Sequence, residues 1–374
     1  MIAISCAIVS HVPLNDLSRV PDGLRTSIMS DLEVIVRSGQ FLKGPFTNRF
    51  EAMLSDRFAG FHATSVANGT DALYLALAAL GIDSTSRVAT VANAGGYTTG
   101  AALRLGASPV YVDIDPSTAQ MSASSLAHVL STSPRVDVVV VTHLYGLVGE
   151  VREIATLCLE RGIPLIEDCA QSYGAGIDGQ PAGTFGDIST FSFYPTKNLG
   201  AFGDAGAVLA RELSVAQRIR SIAQYGWSER YSVELMNGVN SRMDEMQAAI
   251  LFHQVSFLDT HNERRRHIVS RYSEALTGDR QMFMAADESF VGHLAVMSSS
   301  TRDRDRQLLE ASGVGTGIHF PIADFEQIAW RERVGDPALP NTIGVQTRIL
   351  TLPCFPSMTD AEIAHVVDSL KTLN

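Results

Sequence analysis

Apolar, β-branched segments alternate with stretches of helical character through the middle of this chain, and that alternation limits the folds it can adopt. The predicted strands are residues 109–114, 136–142, 163–168, 187–192 and 206–210. The predicted helices are residues 70–80, 150–161 and 215–223, and a longer helical stretch runs from about residue 242 to 276. Apolar strands separated by helices are typical of a mostly parallel sheet covered on both faces. The sequence therefore predicts an α/β fold with a mostly parallel, mixed sheet.

The length of the chain indicates more than one structural unit. At about 150 residues per domain, 374 residues predict two to three domains, or one large domain with an appendage. After residue 276 the sequence mixes short strands with a polar, proline-bounded end. We therefore expect a large domain over residues 1–255, on which the N-terminal segment packs, and a smaller α+β domain over residues 256–374.

The charge balance favours a small-molecule ligand. The chain has 29 lysines and arginines against 40 aspartates and glutamates, a formal net charge of −11, so it lacks the broad basic surface that nucleic acids or anionic lipids attract. No uncharged apolar run approaches the roughly 18 residues of a membrane-spanning helix. The apolar start, residues 1–9, has no basic residue before it, so we predict no signal peptide and expect a cytoplasmic protein.

The four cysteines are widely spaced along the chain. Zinc sites and disulfide frameworks usually show close or regularly spaced cysteine pairs. We therefore predict neither a disulfide framework nor a metal site.

A carboxylate ends one of the predicted strands. Ligands of open α/β sheets bind beyond the carboxyl ends of the strands, and Asp168 lies at such an end, after the apolar residues 163–166. A carboxylate in this position either makes a structural hydrogen bond or meets a cationic ligand atom, and the residues alone favour neither interpretation.

Lysine usage singles out a second residue. The chain has only three lysines, Lys43, Lys197 and Lys371, against 26 arginines, and Lys197 lies in the interior of the sequence. A desolvated lysine can lose its proton and form a Schiff base with a carbonyl group, which arginine cannot do. The alternative interpretation is an ordinary solvated lysine in a loop.

The tripeptide Asn68-Gly69-Thr70 stands at the start of a predicted helix. Free N–H groups and the dipole at a helix N-terminus bind phosphate, although the same residues also suit an ordinary helix cap. A phosphate-binding helix end, a strand-end carboxylate and a lysine in one α/β chain are together what pyridoxal phosphate (PLP) needs. The carboxylate keeps the pyridine nitrogen protonated, and the lysine holds the aldehyde.

Several ordered motifs lie at and around these positions. They are Gly44-Pro-Phe-Thr-Asn-Arg-Phe-Glu51, Ala67-Asn-Gly-Thr-Asp-Ala-Leu73, His143-Leu-Tyr-Gly146, Glu167-Asp-Cys-Ala-Gln-Ser172, Phe191-Ser-Phe-Tyr-Pro-Thr-Lys-Asn198, Gly203-Asp-Ala-Gly206 and Gly238-Val-Asn-Ser-Arg242. With these motifs, over most of its length, the chain resembles the PLP-dependent nucleotide-sugar aminotransferases of the DegT/StrS type. The resemblance implies the aspartate-aminotransferase fold, PLP fold type I, with residues 1–255 as the PLP-binding domain.

The resemblance also implies a role for individual residues. Lys197 would bond to the PLP aldehyde and move a proton between the substrate carbon and the cofactor. Asp168 would pair with the pyridine nitrogen, and Gln171 would lie against the ring hydroxyl. The residues implied to hold the phosphate are Gly69, Thr70 and Ser192, with Asn240 of a second subunit. A site shared in this way implies a homodimer.

One segment departs from the family pattern. Where many members have Pro-x-x-Thr-Phe or a similar sequence, this chain has Ala92-Asn-Ala-Gly-Gly-Tyr97, so Tyr97 is the aromatic residue expected to cover the cofactor ring. This variant, together with Gln224-Tyr-Gly-Trp227 and Gly317-Ile-His-Phe-Pro321, resembles the subgroup that acts on dTDP-3-keto-6-deoxyhexoses. Tyr225 and His319 are then candidate substrate contacts, or else packed or capping residues, and His143 is expected to support the cofactor site structurally.

The activity implied is transamination of a dTDP-linked keto-deoxysugar, with L-glutamate as the expected amino donor. An alternative within the family is a 4-aminotransferase. A dehydratase of the same fold is disfavoured, because a histidine replaces the lysine in that branch. A third alternative is a catalytically silent, PLP-binding regulatory protein.

Overall fold

The computed structural model describes residues 11–133 and 135–373, so the apolar start at residues 1–9, on which the signal-peptide prediction rests, lies outside the described residues. The strands are β1 (His62–Val66), β2 (Arg87–Thr90), β3 (Ser108–Tyr111), β4 (Val138–Thr142), β5 (Leu165–Asp168), β6 (Gly176–Ile177), β7 (Gln180–Pro181), β8 (Ile188–Ser192), β9 (Gly206–Ala210), β10 (Trp227–Glu229), β11 (Ser232–Val233), β12 (Gln281–Met282), β13 (Ala295–Ser298) and β14 (Ile349–Leu352).

The helices divide between the two ends of the chain and the connections of the large sheet. They are α1 (Asp22–Ser38), α2 (Pro45–Arg57), α3 (Gly69–Ala79), α4 (Tyr97–Arg104), α5 (Ala123–Thr132), α6 (Val151–Arg161), α7 (Leu213–Ile222), α8 (Glu245–Gln254), α9 (Leu258–Ala275), α10 (Arg302–Ala311), α11 (Arg331–Val334), α12 (Pro340–Gln346) and α13 (Asp360–Lys371). None of the helices in the described part of the chain is both long and apolar enough to cross a membrane.

The large sheet has seven strands in the order β1-β9-β8-β5-β4-β2-β3. All neighbouring pairs are parallel except those of β9, which runs antiparallel to both β1 and β8. The predicted α/β fold with a mostly parallel sheet is confirmed, and each of the five predicted strands is present. The carboxyl ends of β1, β8, β5, β4 and β2 consequently lie along one edge of the sheet.

The predicted helices are confirmed as α3, α6 and α7, and the helical stretch predicted over residues 242–276 is present over residues 245–275. This region forms α8 and α9, separated by a 3₁₀ turn at Val255–Phe257. No glycine or proline marks the break in the sequence. The two helices pack against different neighbours: α8 packs on α1 and α2, whereas α9 packs on α13. The 3₁₀ turn lets the chain change direction between them.

A second core surrounds the three-stranded sheet β12-β13-β14. It includes residues of α9 and α13, and also Val12, which pairs with Val314. The N-terminal segment therefore contacts this second core through Val12, and the following helix α1 packs on α8. The predicted domain boundary at 255/256 falls in the 3₁₀ turn between α8 and α9 and stays a prediction.

A buried carboxyl group ties the segment after His319 to the large sheet. Asp324 is 1% exposed; its N–H donates to the Ala92 carbonyl (2.9 Å), and its Oδ2 accepts from the Thr99 hydroxyl. Because the Thr99 proton is used there, the Tyr111 hydroxyl donates to Thr99 Oγ1 (3.2 Å). Burial raises the pKa of Asp324 from 3.8 to about 7.

This raised pKa predicts how stability depends on pH. Between about pH 4 and pH 7 the folded protein keeps the Asp324 proton that the unfolded chain has lost, so this residue makes the free energy of unfolding fall as pH rises through that window. Asp324→Asn keeps an acceptor for Thr99 and removes the titration. We expect the wild-type protein to lose on the order of 3–4 kcal/mol relative to Asp324→Asn between pH 4.5 and 7.5. Urea unfolding at both pH values measures the difference.

The control for this experiment is Asp303→Asn, which removes an exposed carboxylate on α10. It should leave the difference between the two pH values as in the wild-type protein. Parallel pH dependence of wild type and Asp324→Asn would contradict the account.

Candidate active site

A cavity of about 410 Å³ opens where the carboxyl ends of the parallel strands meet the C-terminal core. It contains eight of the ten residues predicted for the site, namely Gly69, Thr70, Tyr97, Asp168, Gln171, Ser192, Lys197 and His319. The other lining residues are Asn68, Leu73, Ala170, Tyr194, Thr196, Asp204, His293, Leu294 and Phe320. Residues more than 200 positions apart in sequence are thereby brought to one place.

The first turn of α3 forms one wall of the cavity. Asn68 caps this helix, because its side chain accepts from the Asp71 N–H (2.8 Å). The N–H groups of Gly69 and Thr70, the first two helical residues, have no acceptor within the helix. They are free to donate to an anion, and the helix dipole favours negative charge at the same point.

Ser192, at the end of β8, lies directly against this helix start. A Cβ atom added to Gly69 would be only 2.6 Å from Ser192 Cβ, so a side chain at position 69 does not fit. The Ser192 oxygen accepts from the Tyr194 N–H (3.4 Å), which leaves its proton free to donate into the cavity. The hydroxyl of Ser192 and the N–H groups of α3 could therefore hold a phosphate group between them, and we call this set the phosphate cradle.

Lys197 follows β8 in a tight turn. Its N–H donates to the Tyr194 carbonyl (2.8 Å), and Gly200 is required close by, because a Cβ atom there would be 2.6 Å from the Pro195 oxygen. Among the described residues the amine of Lys197 has neither a hydrogen bond nor a salt bridge. Burial lowers its pKa to about 8, so a substantial fraction of this amine is neutral near physiological pH.

Asp168 is a buried carboxyl group at the end of β5. Its Oδ1 accepts from the Ala170 N–H (3.1 Å), and its Oδ2 lies 3.4 Å from the Thr142 hydroxyl. Burial raises its pKa, against the opposing effects of that N–H and of the nearby Lys197 and His143. A cation placed against Asp168 would offset the cost of burial and restore the charged form.

The preceding residue, Glu167, holds this strand end in place. Its fully buried carboxylate accepts from the N–H groups of Gly183 (2.8 Å), Phe185 (2.6 Å) and Gly186 (2.7 Å). It also lies 3.0 Å from His143 Nε2. Both carboxylate oxygens of Glu167 are thus hydrogen-bonded within the protein. His143 contacts Glu167, the residue that holds the end of β5 in place, and its structural role stays a prediction.

Gln171 is oriented by the backbone of Tyr145. The Tyr145 N–H donates to Gln171 Oε1 (2.6 Å), so the amide nitrogen of Gln171 is the group left to donate to a ligand. Tyr145 adopts a left-handed conformation (φ 64°), and its hydroxyl donates to the His319 carbonyl (2.6 Å). One residue therefore positions two sides of the cavity.

Tyr97 begins α4 and packs edge-on against Phe320, with the ring centroids 6.2 Å apart. Gly95 and Gly96, both with φ of +81°, precede it, and a Cβ atom on Gly96 would be 2.6 Å from Trp330. Tyr97 is thus held at the cavity by a loop that only glycine permits. His319, beside Phe320, is oriented by a hydrogen bond between its Nδ1 and Thr351 Oγ1 (2.9 Å).

Two predicted residues lie elsewhere. Tyr225 and Asn240 are on adjacent, paired segments at a different surface, and Asn240 Oδ1 accepts from Arg242 Nε (2.9 Å). Tyr225 lines a shallow surface pocket together with Lys43, Arg220, Arg230 and Arg242. Neither residue lines the cavity of its own chain. The family resemblance implied that Asn240 reaches the site of a second subunit, whereas Tyr225 was predicted only as a candidate substrate contact.

Sequence reasoning missed several lining residues. Tyr194, Asp204 and Phe320 stand inside motifs that were recognised, so their positions were available although no role was assigned. His293 lies outside every motif, in the apolar run Phe290-Val-Gly-His-Leu294, which is typical of a core segment. Only the packing of the C-terminal core against the sheet brings it to the cavity.

Comparison with known proteins agrees with this geometry. The chain matches the DegT/DnrJ/EryC1/StrS aminotransferase family over residues 23–371. A UDP-N-acetyl-3-dehydro-alpha-D-glucosamine 3-aminotransferase of Acidithiobacillus ferrooxidans is 33% identical over 362 residues, covering 96% of this chain and 97% of that one. A dTDP-3-amino-3,4,6-trideoxy-alpha-D-glucose transaminase of Streptomyces venezuelae is 32% identical over 365 residues, 96% of either chain. The X-ray structure of S. venezuelae DesV in complex with a ketimine intermediate has a TM-score of 0.92 at 31% identity and covers 98% of this chain and 99% of that one.

The chain therefore belongs to the DegT/DnrJ/EryC1/StrS aminotransferase family, and it is a PLP-dependent aminotransferase. The predicted fold, cofactor and enzyme class are confirmed. The cavity suits PLP, because it combines a phosphate cradle that a Cβ atom would fill with a buried carboxyl group and a buried amine, neither of which forms a salt bridge with any described residue.

The cradle can be tested through Gly69→Ala. The added methyl group would displace Ser192 or the first turn of α3, because it cannot share their space. We expect PLP affinity to fall roughly tenfold or more, measured by fluorescence titration of the cofactor-free protein.

The matched control is Gly344→Ala, on helix α12, where a Cβ atom meets nothing within 4 Å. This variant should bind PLP as the wild-type protein does. Equal PLP affinity in Gly69→Ala and the wild type would show that the cradle does not hold the phosphate.

Proposed function

We propose that this enzyme transfers an amino group from an amino acid, with L-glutamate favoured, to the keto group of a dTDP-linked 3-keto-6-deoxyhexose. The observation that carries the proposal is the single cavity in which Lys197, Asp168 and the phosphate cradle meet. The two curated relatives described above support amination at C3, because both of their names specify position 3. They differ in the nucleotide, and the sequence variant at Tyr97 favours dTDP in this chain.

Each cavity residue has a role in this proposal. Gly69, Thr70 and Ser192 hold the phosphate, Asp168 faces the pyridine nitrogen, and the Gln171 amide nitrogen donates to the ring oxygen. Tyr97 covers the ring. When bound, PLP supplies the electron sink that stabilises the carbanion formed at the substrate carbon. Asp168 contributes by keeping the ring nitrogen protonated, since a positively charged partner relieves the cost of its burial.

Lys197 moves the proton. With a pKa of about 8, its amine is neutral often enough to remove a proton from the substrate carbon and is still basic enough to hold and return it. The same amine acts in both halves of a ping-pong reaction, first with the amino acid and then with the keto sugar. Water is kept from the reacting atoms by Tyr97 and Phe320, which pack against each other at the cavity.

A homodimer completes the site in this proposal. Apolar side chains are exposed on and just after α1, with Met29 60%, Val36 62% and Phe41 46% exposed. The backbone of Leu42, which is also exposed, pairs with that of Asp244 at the start of α8. Helix α8 contributes a further exposed apolar side chain, Met246. Several exposed apolar side chains on packed neighbouring elements are typical of a subunit interface, and a second copy of this chain is its proposed occupant.

The surface pocket around Tyr225 would then serve the partner's site. Lys43, Arg220, Arg230 and Arg242 surround it, and burial together with the charges of Arg242 and Arg220 lowers the pKa of Lys43. Such a concentration of positive charge in an acidic protein suits a nucleotide diphosphate. Asn240, on the same surface, would reach the partner's cofactor phosphate.

The alternatives differ in measurable ways. A 4-aminotransferase would place nitrogen on the neighbouring carbon, and NMR of the sugar product distinguishes the two positions. A catalytically silent PLP-binding regulator would bind the cofactor but exchange no amine with any donor. The intact set of Lys197, Asp168 and the phosphate cradle favours turnover over such a role.

The central residue is tested by Lys197→Ala. This variant should fold and bind PLP without a covalent bond, and its turnover should fall by at least about 10⁴-fold because it lacks the group that moves the proton. Product formation from L-glutamate and the dTDP-linked keto sugar measures the effect. Lys371→Ala, which removes an exposed lysine on α13, is the control and should retain wild-type activity. Multiple turnover by Lys197→Ala at a rate near wild type would contradict the assignment.

The shared site predicts subunit complementation. Lys197→Ala and Asn240→Asp are each expected to be inactive, the second because a carboxylate repels the partner's cofactor phosphate. In randomly mixed dimers half the molecules are hybrids with one intact site each, so the mixture should recover about a quarter of wild-type activity. Activity measured before and after unfolding and refolding the mixture tests this. No recovery would place both residues in one chain's site.

A further inference from the structure

A second cavity, of about 350 Å³, has Thr196 and Lys197 in common with the lining of the cofactor cavity, and none of the roles assigned above uses it. Its lining comes from the N-terminal segment, the turn after β8, helices α8 and α9 and the loop after β14. Segments that are distant in sequence thus meet around a space of the size that small-molecule sites have.

Arg265, on α9, lines this cavity and is the only buried arginine among the described residues, with 4% of its surface exposed. Its Nη1 donates to the carbonyls of His293 (3.3 Å) and Cys354 (2.6 Å), which uses both protons of that nitrogen. Its Nε is fully enclosed and has no partner, and Nη2 has none in the described part of the chain either. The two N–H groups of Nη2 are therefore the donors that Arg265 has left for a ligand.

The charge of Arg265 also lacks a counter-charge. The guanidinium forms no salt bridge with any described residue; burial lowers its pKa, and only the Cys354 side chain opposes that effect. Outside the described residues, positions 1–10, 134 and 374 have no acidic side chain to offer. A buried cation without an anion costs stability, so an anion bound at Nη2 would stabilise the protein.

The one acidic residue in the lining, Asp16, is already paired with other groups. Its Oδ2 accepts from Arg19 Nε (2.8 Å), and its Oδ1 accepts from the Ser18 N–H (3.0 Å). Arg19 in turn donates through Nη1 and Nη2 to the carboxylate of Glu362 (2.8 and 2.7 Å). The charges of Asp16 and Arg19 are thus matched within the protein, whereas the charge of Arg265 is not.

The rest of the lining indicates what kind of anion fits. Leu17, Val20, Leu24 and Phe355 present apolar surface to the same cavity. An inorganic phosphate has four oxygens that need several donors, whereas a carboxylate needs one cationic donor group and can bury a carbon chain against apolar side chains. The combination of one unpaired guanidinium and an apolar wall therefore favours an organic carboxylate.

We propose that this second cavity is a binding site for a small organic carboxylate, which places its carboxylate on Arg265 Nη2 and its carbon chain against the apolar lining. Amino acids and the oxo acids that transamination makes from them belong to this chemical class. The site does not depend on amine transfer, because a carboxylate at Nη2 offsets the cost of burying the guanidinium whatever happens at Lys197.

Binding is tested by isothermal titration calorimetry on the PLP-loaded enzyme after borohydride reduction, which fixes the cofactor on Lys197 and prevents any reaction with the ligand. Hexanoate is the probe, since it has neither an amine nor a keto group, and inorganic phosphate is titrated for comparison. If PLP does not bond to Lys197, the same titrations are made on the cofactor-free protein. Failure of the proposed function therefore leaves this test intact.

Two substitutions assign the binding to this cavity. Arg265→Gln removes the charge and keeps an amide N–H for the Cys354 carbonyl, and we expect the affinity for hexanoate to fall roughly tenfold or more. Gln254→Glu leaves every hydrogen bond of Arg265 in place and adds a negative charge to the lining, so it should weaken hexanoate binding several-fold. Gln281→Glu makes the same change of charge at an exposed position on β12 and should bind hexanoate as the wild-type protein does.

If Arg265→Gln does not fold, Gln254→Glu decides. Wild-type protein that binds no hexanoate up to about 10 mM, or equal affinity in wild type and Gln254→Glu, would overturn the proposal. Phosphate that binds more tightly than hexanoate and is weakened by the same two substitutions would overturn the assignment to organic carboxylates.

Discussion

The site depends on a carboxyl group and an amine that share one cavity without forming a pair. Asp168 and Lys197 are both buried, and burial favours the neutral form of each: it raises the pKa of the carboxyl group and lowers that of the amine to about 8. A ligand that brings a cationic ring nitrogen to Asp168 and an aldehyde to Lys197 satisfies both groups at once. Burying these two groups costs the protein stability, and a bound cofactor would offset that cost by pairing with both of them.

The remaining structure holds these two groups at fixed positions. Glu167 binds three backbone N–H groups next to Asp168, and Asn198 makes three hydrogen bonds next to Lys197. In each case a polar residue whose side chain is hydrogen-bonded within the protein is next in sequence to a residue that lines the cavity. The parallel sheet makes this possible, because strands β5 and β8 deliver both pairs to the same edge.

The residues alone predicted the α/β fold and singled out Gly69, Thr70, Asp168 and Lys197. The other predicted cavity residues came from the resemblance to the family, and physical reasons explain what both missed. Buried parallel strands are apolar throughout, so β4 and β5 were evident, and Asn68-Gly69-Thr70 at the start of a predicted helix indicated a candidate phosphate site. The break between α8 and α9 has no local signal, because tertiary packing on two cores causes it. The sequence did not predict His293 for a similar reason. Its neighbours in sequence are apolar, and the residues that orient it, Asn198 directly and Asn262 through Asn198, are distant in the chain.

The measurement that tests the central claim most directly is an absorbance spectrum of the PLP-loaded protein before and after L-glutamate, with borohydride reduction and peptide mapping of the sample without glutamate. The account predicts that glutamate converts the bound cofactor to its pyridoxamine form and that reduction attaches the cofactor to Lys197. Reduction that labels another residue, or protein that binds no PLP, would contradict it.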